Sequence, residues 1–374
     1  MNVEVTLIGQ DQIKRFIDFP HDLYKGDPNY VPEIFLAMKD HLNPKKNPYF
    51  KHSDAAMFLA KKGDKIVGRI AVTVNNNYND FHNCKVGWFG FFDCIEDVEV
   101  SNKLFKTAEQ YLKDKNIHQI LGPANFTTND TAAFLVDGFD SPPLVQMTYN
   151  KPYYGPFAES FGFTKEMDMF AYMIKTDKVN QKALNLADRL EARLQTKGIT
   201  LRNVKKKDWA AEVNRIREIY KSAWEKNWGF VPPTNDEFDF LAEGLKLVVD
   251  ERYAYIAEKE GKCIGFAVGL PNINEIMIKS NKGRLLPFTI FSLLMNKSKT
   301  KYVRIILLGV LEQHRKLGIE AVFYSKFIAA AKANGLIGGE ASWILESNQD
   351  MCLAAENLHG EKYKTYRIYT KSIS

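Results

Sequence analysis

Cysteine is scarce in this chain. There are four in 374 residues, Cys84, Cys94, Cys263 and Cys352, with no Cys-x-x-Cys pair. That spacing gives neither a zinc site nor a disulfide framework, so a reducing, cytoplasmic setting without a metal is expected. Long apolar runs are missing as well. The most apolar stretch, 285–295, is far shorter than the ~20 residues that cross a bilayer. No basic start followed by an apolar run opens the sequence, so no secretory leader is expected. Charge is in only mild excess, at a formal +6, which fits an anionic ligand without requiring one. The basic residues are dispersed, and neither an RNP-like aromatic pair nor a zinc finger is present. Nucleic acid is therefore not an expected partner.

What is present describes a folded protein. Hydrophobic residues make up 45% and aromatics 13%, and the length suits two domains. Lys279, Lys282 and Arg284 precede the apolar stretch at 285–295, and Lys297, Lys299 and Lys301 follow it. A core helix with solvated ends is the favoured expectation there. Contact with a membrane surface is the lesser one.

The most informative stretch runs from Leu307 to Ala331. Tyr302 to Leu308 is apolar and β-branched, which predicts a strand. Ile319, Val322, Phe323, Phe327 and Ala330 recur at three- and four-residue steps, which predicts a helix. Between them lies His314-Arg315-Lys316-Leu317-Gly318. A strand feeding a helix through a basic, glycine-bearing turn is a phosphate cradle, because free N–H groups and the positive dipole end face an incoming anion. An ordinary strand–turn–helix with a solvated turn reads the same way on spacing alone.

Arg315-Lys316-Leu317-Gly318-Ile319 resembles the pyrophosphate loop of the GNAT superfamily of N-acyltransferases, Gln/Arg-x-x-Gly-x-Gly/Ala. One position departs: Glu320 stands where a small residue is usual, and Ala321 follows it. The resemblance spans most of the chain. It implies an α+β protein of two GNAT-like domains, each a mixed central sheet flanked by helices. It also implies acyl-CoA or acetyl-CoA as co-substrate and a small-molecule or peptide amine as acceptor. The binding backbone would be Leu308, Gly309 and Val310, then Arg315, Lys316, Leu317, Gly318 and Ile319. The tyrosine that often protonates the leaving thiolate in that family falls on Ala355. Tyr363 and Tyr366 are the remaining tyrosine candidates, and Glu312 and His314 are candidate bases. Fem-type transferases, which use aminoacyl-tRNA, also pair two such halves. A ligand-binding protein that kept the fold without catalysis is a third reading.

Strand, strand, strand, helix, strand recurs in both halves, which divides the chain into 1–175, a linking helix at 176–198, and 199–374. At the first half's strand-to-helix joint the sequence is Asp93-Cys94-Ile95-Glu96-Asp97-Val98-Glu99, without glycine or a basic residue. Its carboxylates would oppose a diphosphate, so the cofactor is expected in the second half only. The long polar insertion after Pro123 reads equally as an ordered loop or as one wall of a cleft. In the second reading Asn125, Asp130, Tyr149, Asn150 and Tyr154, with Trp228 from the other half, face the acceptor.

Overall fold

The computed structural model describes residues 2–373. The first half runs β1 (Val3–Leu7), α1 (Ile13–Leu23), α2 (Phe35–His41), β2 (Asp54–Lys62), β3 (Lys65–Val74), α3 (Asn76–His82), β4 (Gly87–Cys94), α4 (Val98–Lys113), β5 (Gln119–Gly122), β6 (Phe134–Asp137), α5 (Tyr154–Ser160) and β7 (Thr164–Lys175). A linking helix, α6 (Gln181–Thr196), follows. The second half runs β8 (Ile199–Asn203), α7 (Trp209–Trp224), α8 (Asn235–Leu245), β9 (Ala254–Lys259), β10 (Lys262–Pro271), α9 (Asn274–Met277), α10 (Thr289–Asn296), β11 (Tyr302–Val310), α11 (Ile319–Ala333), β12 (Gly338–Leu345), α12 (Gln349–Asn357) and β13 (Glu361–Ser372).

Sequence explains the main packing. β3 and β4 are nearly continuous apolar runs because both faces are covered. α4 buries Leu104, Phe105, Ala108 and Leu112 in that cover. Gly87 lets it approach, since a Cβ there would lie 2.2 Å from Leu112 Cδ2. α11 does the same for the second half with Val322, Phe323 and Phe327.

The two mixed sheets are fused into one of thirteen strands, in the order β1-β2-β3-β4-β5-β13-β7-β12-β11-β10-β9-β8, with β6 beside β13. Each half gives its last strand to the other. β13 lies between β5 and β7, and β7 pairs with β12. Neither sheet is complete without the other half's final strand.

The apolar stretch at 285–295 departs from the favoured expectation. Within α10 only Leu293 is buried. Leu286, Phe288, Phe291, Leu294 and Met295 are 57–81% exposed. A two-turn helix that is apolar on all sides has more apolar surface than one neighbour can cover.

Candidate functional site

The two halves carry equivalent wedges with opposite fates. β11 pairs with β12 only from Tyr302↔Gly338 to Ile305↔Ala341. Beyond that point β11 stays with β10 as far as Val310, while β12 follows β7. A bulge at this parting leaves Ile306 unpaired between Ile305↔Gly269 and Leu307↔Val268. Bulges of this kind bend a strand and re-aim its groups. Ile305, Ile306, Leu307 and Leu308 are all half-buried; Ile305 and Leu308 pack on the side of α11, and Ile306 and Leu307 on the side of α7. Gly309 is pressed by α7, where a Cβ would sit 2.5 Å from Trp224 Cζ3.

In the first half β4 and β5 also part, after Gly87↔Ile120 and Trp88↔Leu121. That wedge is filled by its own chain. The Ala124 N–H donates to Phe89 O at 2.8 Å, and the Phe91 N–H donates to Asn125 Oδ1 at 2.8 Å. A Cβ on Gly90 would meet Ala124 O at 1.9 Å. Asn125 is thus committed to closing the first wedge.

The two strand-to-helix joints differ in the same sense. At the start of α4, Asp97 accepts from the N–H groups of Glu99 and Val100 and pairs with Lys62 at 2.6 Å. Asp93 is buried against Arg69 at 2.7 Å. The recess beside this joint, about 490 Å³, presents Glu96, and its Lys151 is bound to Asp27 at 2.8 Å. At the start of α11 no side chain of another residue caps the helix. Gly318 takes the left-handed φ of 89° that glycine tolerates, and Leu190 of α6 flanks it. Lys316 is exposed. Arg315 turns back instead, donating to Val310 O at 3.2 Å and Ala223 O at 3.1 Å, so it braces the loop. Glu320 accepts from its own N–H, and burial pushes its carboxyl up. Leu317 is half-buried and Ile319 lies in the core.

Beside the closed first wedge Glu33, His41 and Asp130 form an acidic cluster. His41, at the end of α2, stacks on Phe126 at 4.9 Å. Its Nε2–H donates to Asn125 O at 3.1 Å, which turns Nδ1 toward Asp130 Oδ1 at 4.0 Å. Asp130 Oδ2 accepts from the N–H and the hydroxyl of Thr127. Burial pushes the Asp130 carboxyl up, against the pull of His41. Glu33 is an exposed carboxylate in the field of Arg69, His41 and Asp130. A chain of contacts joins this cluster to β11. Next to Asp130, Asn129 accepts from the Tyr220 hydroxyl at 3.0 Å, Tyr220 stacks on Trp224 at 4.8 Å, and Trp224 covers Gly309.

The other sequence candidates scatter. Glu312 is exposed and paired with Lys226 at 2.7 Å. His314 is half-buried, and burial lowers its pKa. Tyr363 donates to the fully buried Glu340, and Tyr366 is buried beside it. Burial pushes both phenols up. Tyr149 donates to Asp27 at 3.0 Å and is pushed up to about 12, chiefly by burial. Asn150 bridges the N–H and carbonyl of Leu135. Tyr154 is in the first core, donating to Asp93 and accepting from the Cys94 N–H. Trp228 donates to Glu166 at 3.3 Å, with its ring 6.5 Å from that of Trp88. Of the six residues expected at the acceptor, Asp130 is the one in the acidic cluster. Glu33, His41 and Tyr220 were not singled out by sequence. The one available signal was a carboxylate directly after a proline-bounded aromatic loop.

This paired architecture is that of a tandem GNAT protein. A tandem GNAT protein from the clavulanic acid biosynthesis pathway superposes with a TM-score of 0.60 at 10% identity, over 100% of this chain and 99% of that one. A GCN5-related N-acetyltransferase from Sphaerobacter thermophilus gives 0.53 at 12% identity, over 99% and 96%. At such identities the likeness is one of fold. No family model matches the sequence. Full-length relatives do. Protein YghO of Escherichia coli (strain K12) is 36% identical over 376 residues, covering 98% of this chain and 95% of its own. Bacterial ceramide synthase of Caulobacter vibrioides (strain NA1000 / CB15N) is 36% identical over 369 residues, covering 97% and 95%. The chain belongs to the family that contains these two proteins.

Proposed function

We propose that this protein transfers an acyl group from acyl-CoA to the amine of a long-chain amino alcohol of the sphingoid type. The observation that carries the reading is the open wedge at β11, set beside a glycine-led helix start, where its counterpart is stitched shut. The fold supports acyl-CoA as the donor class. The relative named a ceramide synthase supports the acceptor class, since a ceramide is an N-acylated sphingoid base.

In this reading the diphosphate lies against the free N–H groups of α11 and Lys316. The acyl chain runs along Ile305 to Leu308. The amine enters from the acidic cluster, where Glu33 and Asp130 attract it as an ammonium. His41 and Asp130 take its protons. The neutral nitrogen then attacks the thioester carbon, the C–N bond forms, and the C–S bond breaks. Backbone N–H groups at the bulge steady the oxyanion. The thiolate leaves and is protonated, with water as the donor. The test is direct: acetyl- and palmitoyl-CoA are offered with sphinganine and with short amines, reading thiol release and amide mass. Amine-dependent release with the long-chain base is expected. Absence of amine-dependent release with every donor sinks the reading.

Glu320 opposes the diphosphate in this placement. Glu320→Ala is expected to tighten CoA about tenfold by calorimetry, since a like charge is removed from the helix start. In the parent protein binding weakens as pH rises through the raised titration of Glu320, because only the ionised form repels. That slope disappears in the variant. A pH-dependence unchanged by the substitution places the diphosphate elsewhere.

A further inference from the structure

We infer that residues 285–295, together with the start of α2, form a surface that docks on an anionic lipid bilayer. Phe288 is 81% exposed, Leu286 76% and Met295 70%. Phe291 and Leu294 complete the face, while Leu293 alone anchors α10 to the protein. The patch extends on two sides. The Phe35 N–H donates to Gly283 O at 3.0 Å, which brings the exposed Leu36 alongside. Lys297 donates to Leu247 O at 3.0 Å, which brings in Leu247. Contiguous apolar surface of this kind marks an interaction site, whereas single exposed side chains do not.

The charge around the patch selects the occupant. Lys279, Lys299 and Lys301 are exposed, and none has a carboxylate within ion-pair distance among the described residues. Lys282 and Arg284, by contrast, are paired with Asp22 and Asp18. Glu275, also on this rim, is engaged by the N–H groups of Lys301 and Tyr302. A basic ring about an apolar tip matches an anionic headgroup layer over acyl chains. A second copy docked face to face would bring the same lysines together. No helix of the described residues is long and apolar enough to cross a membrane, so the contact is peripheral.

The patch also adjoins the acidic cluster. A Cβ on Gly283 would fall 1.7 Å from Glu33 O. An amphipathic amine in the bilayer would therefore meet Glu33 first. That last link rests on the proposed acyl transfer; the docking itself does not.

The test is flotation of the full chain with vesicles of equal parts phosphatidylglycerol and phosphatidylcholine, against phosphatidylcholine alone. At least about tenfold more protein is expected to float with the anionic vesicles, falling with salt. Phe288→Ser with Phe291→Ser should abolish flotation and leave the melting temperature unchanged. Lys299→Glu with Lys301→Glu should remove the preference for anionic lipid while the fold stays intact. Two results overturn the inference: no flotation of the parent chain, or undiminished flotation of the phenylalanine variant. A lipid-free dimer that the same variant dissolves, read by light scattering, assigns the face to a second copy and overturns it too. Transfer to sphinganine held in neutral detergent, without vesicles, is read separately. Its loss in the parent chain refutes the enzyme reading and leaves docking standing.

Discussion

If the proposed acyl transfer holds, Asp130→Asn is expected to lower turnover by about 10²- to 10⁴-fold, the range for loss of a proton acceptor. The reason is the pairing with His41. With Nε2–H committed to Asn125 O, the only free face of the ring is Nδ1, 4.0 Å from Asp130 Oδ1. That gap accommodates a proton passed from an amine. Burial raises the Asp130 carboxyl, so turnover should climb with pH through that raised titration, and the limb should vanish in Asp130→Asn. Stability moves the other way. A carboxyl whose folded pKa lies above its unfolded one binds its proton more tightly when folded. Its contribution is therefore greatest in acid and is lost as pH rises through the folded value. At neutral pH Asp130→Asn should melt higher than the parent while working far less. A structural role alone predicts that both fall together. His41→Ala should share the kinetic loss, and Glu33→Gln should raise KM more than it lowers kcat.

Arg304→Met destabilises the fold by about 3–5 kcal/mol, the cost of stripping a buried ion of its partner. Glu340 is fully buried, and Arg304 lies 3.6 Å from it at the foot of the open wedge. The guanidinium also donates to Ser342 Oγ and to the carbonyls of Val145 and Gln146, so one side chain ties β11 and β12 to the first half's insertion. Lysine cannot replace that fork, having one nitrogen where arginine offers three. Removing both charges, as Arg304→Met with Glu340→Gln, should recover most of the loss in a denaturant titration. A single variant within about 1 kcal/mol of the parent would refute this tie as a source of stability.

Legibility in the sequence followed locality. The strand, Gly318 turn and helix from Tyr302 to Ala333 read directly because they are consecutive. The carboxylates of the first joint read for the same reason, though their means were hidden: Asp97 caps α4, and Asp93 is neutralised by Arg69. The acidic cluster did not read, since Glu33 and His41 meet Asp130 only after about ninety residues of intervening chain have folded. Asn125 looked like a cleft residue because its type suits ligand binding. Its task of closing β4 depends on a backbone neighbour that periodicity does not reveal. The exchange of β7 and β13 was hidden too, because alternation announces a strand and is silent about which strand it lies beside.

That exchange bears on how the molecule is made. β13 occupies the slot between β5 and β7, yet it is synthesised after everything else in both halves. The amino-terminal half therefore leaves the ribosome with two bare strand edges facing a gap, and holds them open until residues 361–372 emerge. A stop codon within or before residues 361–372 would injure the half that was translated first.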